Sequence, residues 1–450
     1  MASSGKLHFH AYGRHDLPGI SGLQKLSPEH RLAMRAVSEV LPFRVNDYVI
    51  EHLIDWDAVP DDPIFRLTFP QPGMLADADL ERMVELLRRD APRSEIEAAA
   101  HEIQAGLNPH PAGQLDWNLP NDREGHRLAG IQHKYRETAV FFPASGQTCH
   151  AYCSYCFRWP QFVGDPDLKF AERDAQRLVA YLKDHSEVTS VLFTGGDPMV
   201  MSAKVLRSYV EPLLSPELSH LRSIRIGTKS PVYWPYRYTR DHDADDVLRL
   251  FEQVRESGRA LDMMVHYGHP RELAPEEARR ALARIRSTGA EVFGQAPIVR
   301  HVNDDADAWV ELWNTEVKLG VNPYYMFVER DTGARNYFEL PLVRAHEVFT
   351  GAFRRVTGLA RTVRGPTMSC MPGKVVIRDI LELDGEKVFA LQFLQGRQPH
   401  WVGRVFFARF DPDATWFAQL RPAGGAERFF FEDELDAMKA AGNMQPWFEG

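Results

Sequence analysis

The stretch "GQTCHAYCSYCFRWPQF", residues 146–162, holds three of the chain's four cysteines: Cys149, Cys153 and Cys156. Thiolate is a soft ligand that suits zinc or an iron–sulfur cluster. A structural zinc site wants four Cys or His ligands in paired spacing. His150 lies inside the loop, but no second pair accompanies it. Three close cysteines can instead hold three irons of a four-iron cluster and leave the fourth iron open. Three buried thiols serving as small hydrophobes is the bland alternative. It fits poorly with Tyr and Arg as neighbours.

The surroundings give this stretch a place in a fold. It follows an apolar run, "AVFFP" (139–143), and from there short β-rich runs alternate with helical ones. Further strand candidates cover 190–196, 223–228, 261–267, 291–299, 323–328 and 360–368. Between them stand "DADDVLRLFEQVRESG", "APEEARRALARIRSTG" and "DADAWVELWNTEVKLG", each closed by the glycine that favours a helix C-terminus. Repeated strand–helix units predict an α/β fold with a parallel sheet curled into a barrel or partial barrel. In such folds chemistry gathers at the C-terminal ends of the strands, which is where the cysteines sit. Residues 1–130 read as a helical N-terminal extension. In it "SPEHRLAMRAVSEVL" (27–41) opens on Ser-Pro, His8, His10 and His15 read as a loose tail, and Pro and Asn cluster in a linker at 108–121. Residues 375–450 read as a small α+β appendage, with a hairpin turned at Asp384-Gly385 and a closing helix in "EDELDAMKAAG". The predicted division is 1–130, 131–374 and 375–450.

Hydrophobic residues make 44% of the 450-residue chain and charged residues 26%, enough for a substantial core. A net charge of −9 argues against nucleic acid or an anionic membrane as partner. No run approaches the roughly 18 apolar residues of a membrane span. The N-terminus lacks the apolar core of a signal peptide. Clustered cysteines point to a reducing, cytoplasmic setting.

The spacing C-x3-C-x2-C resembles that of radical S-adenosylmethionine enzymes. The ordered segments "HKYRETAVFF", "CHAYCSYCFRWPQFVG", "LFTGGDPM", "IRIGTKSPVYWPYRYT", "VHYGHPRELAPE", "HVNDDADAWVEL", "GVNPYYMFVERD" and "MPGK" narrow the resemblance to the lysine 2,3-aminomutase family. They cover over half the chain. The resemblance implies a partial (β/α)6 barrel. Its cofactors would be a [4Fe-4S] cluster, S-adenosylmethionine and pyridoxal 5'-phosphate. Its partners would be a free amino acid and an electron donor such as flavodoxin or ferredoxin, and it leaves a homo-oligomer open.

Residue by residue, the resemblance makes Cys149, Cys153 and Cys156 the cluster ligands. It makes Gly195, Gly196 and Asp197 in "GGDP" the contact for the methionine part of the cofactor, with Tyr155 and Lys229 as further contacts. Arg158 would clamp the substrate α-carboxylate, for which a guanidinium fork is suited. Lys374 would carry pyridoxal phosphate as a Schiff base, on a loop shorter in glycine than the family's. Lys134 and Tyr135 match an Arg-Tyr pair that holds its phosphate, and Thr138 stands where a further arginine is expected. Of two aspartates that hold the distal ammonium in relatives acting on lysine, one matches Asp304 and the other falls on Arg330. Arginine there would repel an ammonium. The expected reaction is therefore a 2,3-aminomutation of an acidic or neutral polar amino acid. Alternatives are lysine 2,3-aminomutation proper, a radical epimerase or dehydrogenase without pyridoxal phosphate, and a non-catalytic iron–sulfur or zinc module. His266 and His269 are expected to order the pocket rather than bind metal, and Cys370 to be a buried thiol.

Overall fold

The computed structural model describes residues 9–164 and 171–445. Strands β1 (Ala11–Tyr12) and β2 (Val45–Asn46) form a small antiparallel ribbon. The tail reading is thereby corrected, because pairing with β2 ties the chain down beside His10; His8 lies outside the described residues. Helices follow at Pro28–Val40, Asp77–Arg88 and Arg93–Gly106. The first starts where Ser27 accepts a hydrogen bond from the His30 amide, as an N-cap should.

The main sheet has eleven strands: β3 (Ile131–Tyr135), β4 (Thr138–Phe141), β5 (Ser190–Phe193), β6 (Ser223–Thr228), β7 (Ala260–His266), β8 (Glu291–Ile298), β9 (Asn322–Val328), β10 (Arg364–Ser369), β11 (Gly373–Leu383), β12 (Glu386–Gly396) and β13 (Val405–Arg409). Each pairs with its neighbour in sequence, and β3 and β13 are the open edges. Strands β4 to β10 run parallel. Six strand–helix units, from β4 through β9, thus precede the last parallel strand. This is the expected partial barrel. Alternation along β6 shows how it fills. Ile224 and Ile226 are buried in the core, while Arg225 and Gly227 face inward and line a cavity.

The three predicted segments share more than their division implies. One continuous core joins Leu17, Val37 and Phe65 of the N-terminal helices to Phe193, Ile226 and Val292 of the barrel. Residue 374 lies inside β11, so the sheet runs unbroken from the barrel into the C-terminal segment. That segment has a second core, in which Phe393, Trp401, Phe406 and Phe431 pack together. Among the described residues no helix is long and apolar enough to cross a membrane.

Candidate active site

A cavity of about 340 Å³ opens at the C-terminal ends of the parallel strands, with Cys149, Cys153 and Cys156 at one end and Lys374 at the other. The cysteine loop leaves β4 and is pinned from outside the barrel. Asn46 Nδ2 donates to the carbonyls of His150 (3.1 Å) and Tyr233 (2.9 Å). The Tyr152 amide donates to the Arg44 carbonyl and the Ser154 amide to that of Leu67, each at 2.8 Å. The N-terminal extension therefore shapes the loop. Burial pushes all three thiols up, Cys156 to about 12. Such thiols ionise readily only against a cation.

The donor set bears on which cation. Three thiols of one loop line a single cavity, the soft sulfur donors that an iron–sulfur group takes. Among the described residues, Asp122, Glu124 and His126 also bring their ligand atoms within 4.8 Å of one another, at the surface.

"GGDP" follows β5 beside the loop. Gly195 has φ +128°, and a Cβ there would lie 2.3 Å from Gln147 Nε2. A Cβ on Gly196 would lie 2.4 Å from the Thr148 backbone. Both glycines let the strand end pack against the residues just before Cys149, a reason additional to ligand approach. Asp197 is buried and committed. It accepts from Thr228 Oγ1 at 2.7 and 2.8 Å and from the Met199 and Lys229 amides, each at 2.9 Å. Burial raises its carboxyl despite these bonds. Lys229 is not a solvated lysine either. Its Nζ donates to Glu272 Oε1 at 2.6 Å and to the His266 carbonyl at 2.9 Å. Glu272, wholly buried, also accepts from the Gly268 amide at 2.6 Å. Tyr155 is buried and lines the cavity beside Cys153. His266 lines the cavity and His269 caps the turn at Pro270–Leu273.

At the opposite end, the Cys370 and Gly373 backbones hydrogen-bond to each other across a tight turn. Gly373 is held in the sheet rather than free to hinge. It pairs with Gly396, and a Cβ there would lie 2.2 Å from the Gln395 carbonyl oxygen. Lys374 Nζ lies over the rings of Tyr325 (4.8 Å), Tyr135 (5.7 Å) and Phe327 (6.0 Å). Burial, then Arg225 and Arg364, lower its amine to about 7. Lys134 donates to the Cys370 carbonyl and lies 5.4 Å over Tyr135; burial lowers it well below the usual range. The Tyr135 hydroxyl is buried and has no hydrogen-bond partner among the described residues. Arg158 stacks over Phe142 and Phe157, and burial followed by Arg330 lowers it to about 9. Arg330 also lines the cavity. Asp304 does not: its segment turns away behind Asn303, which holds the Gly268 and Pro297 carbonyls, and its own carbonyl accepts from Arg344.

Sequence reasoning missed two cavity residues, Arg225 and Glu329, and one that pairs with Lys229, Glu272. Arg225 was legible, since it is the cation at the inward position of an alternating strand. Glu329, a buried carboxyl beside Arg330, and Glu272 carry no local signal.

No family model matches the chain. Against named proteins, it is 30% identical over 396 residues to a provisionally named L-lysine 2,3-aminomutase of Aquifex aeolicus, covering 88% of this chain and 92% of that one. The chain belongs to the lysine 2,3-aminomutase family of radical S-adenosylmethionine enzymes. L-lysine 2,3-aminomutases of Bacillus subtilis and Escherichia coli are each 26% identical to it, over 53% and 55% of this chain and 48% and 69% of their own lengths. The family implies S-adenosylmethionine and a four-iron cluster. Among solved structures, a radical SAM methyltransferase of Sphaerobacter thermophilus superposes with a TM-score of 0.37 at 14% identity, over 66% of this chain and 94% of that one. Streptococcus suis SuiB bound to its precursor peptide SuiA gives 0.35 at 12% identity, over 61% and 56%.

Proposed function

We propose that this member of the family is a pyridoxal phosphate-dependent 2,3-aminomutase acting on a free acidic or neutral polar amino acid. The observation that carries this reading is the charge at the lysine end. Lys134, Arg225, Arg330 and Lys374 line the cavity, and Arg397 lies close behind Tyr135. Burial lowers all five, and among the described residues none forms an ion pair. Unpaired buried ions each cost several kcal/mol. A phosphate and two carboxylates would supply the missing counter-charge.

When bound, the cluster with S-adenosylmethionine supplies the radical that takes a Cβ hydrogen, and pyridoxal phosphate supplies the carbonyl that carries the migrating nitrogen. Cys149, Cys153 and Cys156 would hold three irons. Asp197 keeps its bonds to Thr228 and Lys229 and so ties the ends of β5 and β6 together. Lys374, its amine lowered to about 7, gives up its proton readily near physiological pH and is then nucleophilic. Lys134 and Arg225 would hold the phosphate, Arg225 compensating for Thr138. Arg158 would fix the α-carboxylate and Arg330 the distal group. The rings of Tyr135, Tyr155 and Phe327 exclude water from the space between, which protects a radical from side reactions.

The test is an anaerobic assay of reconstituted enzyme with reductant, S-adenosylmethionine, pyridoxal phosphate and a panel of amino acids. Borohydride followed by peptide mapping should place a pyridoxyl group on Lys374. Glutamate, aspartate or their amides should be turned over in preference to lysine. Efficient turnover of lysine, unaffected by Arg330→Ala, would overturn the substrate assignment. Label on another lysine, or none, would overturn the cofactor assignment.

A further inference from the structure

We propose that Phe157 determines specificity: its ring mounts Arg158 and Arg330 as a two-armed receptor for the two carboxylates of a dicarboxylic amino acid. This rests on the acidic-substrate reading above and narrows it to diacids over amides. Phe157, Arg158 and Arg330 all line the cavity. The guanidinium carbons of Arg158 and Arg330 lie 4.9 and 4.8 Å from the Phe157 ring centroid, so they are at most about 10 Å apart. One short ligand spans that distance. Phe157 and Arg158 belong to the cysteine loop, whereas Arg330 follows β9, so the ring joins two separate elements. Arg158 is steadied from a second side by Phe142 at 4.4 Å. Among the described residues, the buried Arg330 Nε has no hydrogen-bond partner.

The physical argument concerns two like charges held close together out of water. They repel, and the negative face of an aromatic ring offsets part of that repulsion. A diacid gives each arm a charged acceptor. A monoacid offers the Arg330 Nε none. An amide gives Arg330 a weaker, uncharged acceptor. Removing the ring while keeping its bulk loosens the geometry and uncouples the arms.

The experiment compares binding of glutamate, glutamine and norvaline, which differ in the distal group, to cluster-loaded protein. Wild type, Phe157→Leu and Phe157→Met are matched for iron content and titrated anaerobically by calorimetry. Wild type should prefer glutamate over both others. In the ring-less variants that preference should fall about tenfold, within the range of a buried cation–π contact. Phe157→Tyr, which keeps a ring, should retain it. A wild-type preference that survives both ring-less variants would remove Phe157 from the role and leave the acidic-substrate reading standing. A wild type that does not prefer glutamate over norvaline would overturn that reading itself. A preference for glutamine over glutamate would overturn the diacid assignment alone.

Discussion

The two ends of the cavity handle charge in opposite ways. At the cysteine end, Lys229 meets Glu272 at 2.6 Å, and Arg237, behind "GGDP", meets Asp243 at 2.6 Å. Asp197 is saturated by a hydroxyl and backbone amides. These ions answer one another without a ligand. At the lysine end the cations crowd together with no ion pair among the described residues: Arg330 lowers Lys134, and Arg225 lowers Lys374. Paired charges hold a frame; unpaired ones wait for an anion. The contrast separates residues that build the site from residues that meet its ligands.

The sharpest break in that contrast is at the cysteines. Changing Cys149, Cys153 or Cys156 to Ala should remove the cluster and abolish S-adenosylmethionine cleavage, read as iron per chain and 5'-deoxyadenosine formed. Cys370→Ala should keep about four irons, because its thiol bonds the Gly373 carbonyl at the other end. Next in size is Lys229→Met, which strands a buried Glu272 carboxylate. It should cost about 3–5 kcal/mol of stability, measured by denaturant unfolding.

The same kind of change at the opposite end should have the opposite sign. Lys374→Met removes a buried, unpaired amine, so the cofactor-free protein should become more stable, by on the order of a few kcal/mol below pH 7. The amine sits near 7 when folded against an ordinary value of 10.5. Between those values the unfolded chain binds more protons, so wild-type stability climbs with pH. The advantage of Lys374→Met should therefore shrink across that window and vanish above it. Capture of pyridoxal phosphate by wild type should rise with pH about a midpoint near 7. Smallest is Asn46→Ala, which cuts the two bonds to the His150 and Tyr233 carbonyls and a helix cap at Val49. A loss of about 1–3 kcal/mol is expected. Slower cluster reconstitution should accompany it, with pyridoxal phosphate uptake unchanged.

Much of this was readable in the chain. The seven strand runs and the helices between them are local patterns of period two and 3.6, and they appear where expected. Cys149, Cys153, Cys156, Lys374, Arg158 and Arg330 all line one cavity, because motifs at strand ends converge in a barrel. Asp304 did not join them. Its position in the chain says nothing about which side of Asn303 it turns to. Nor did the sequence warn that Gly373 is clamped against Gln395, since the contact comes from a strand 22 residues further on.

Local order along the chain carries which residues offer thiols and amines at strand ends and where the strands end, because these depend on side-chain chemistry and short-range periodicity. Which charges are left without partners is a different kind of fact. Lys229 finds Glu272 forty-three residues away, and Asn46 reaches a loop more than a hundred residues on. Among the described residues, Lys374 finds rings and arginines but no carboxylate. Burial and pairing are properties of the packed barrel, where desolvation sets the cost of each ion, and they alone distinguish a framework cation from one held open for a ligand.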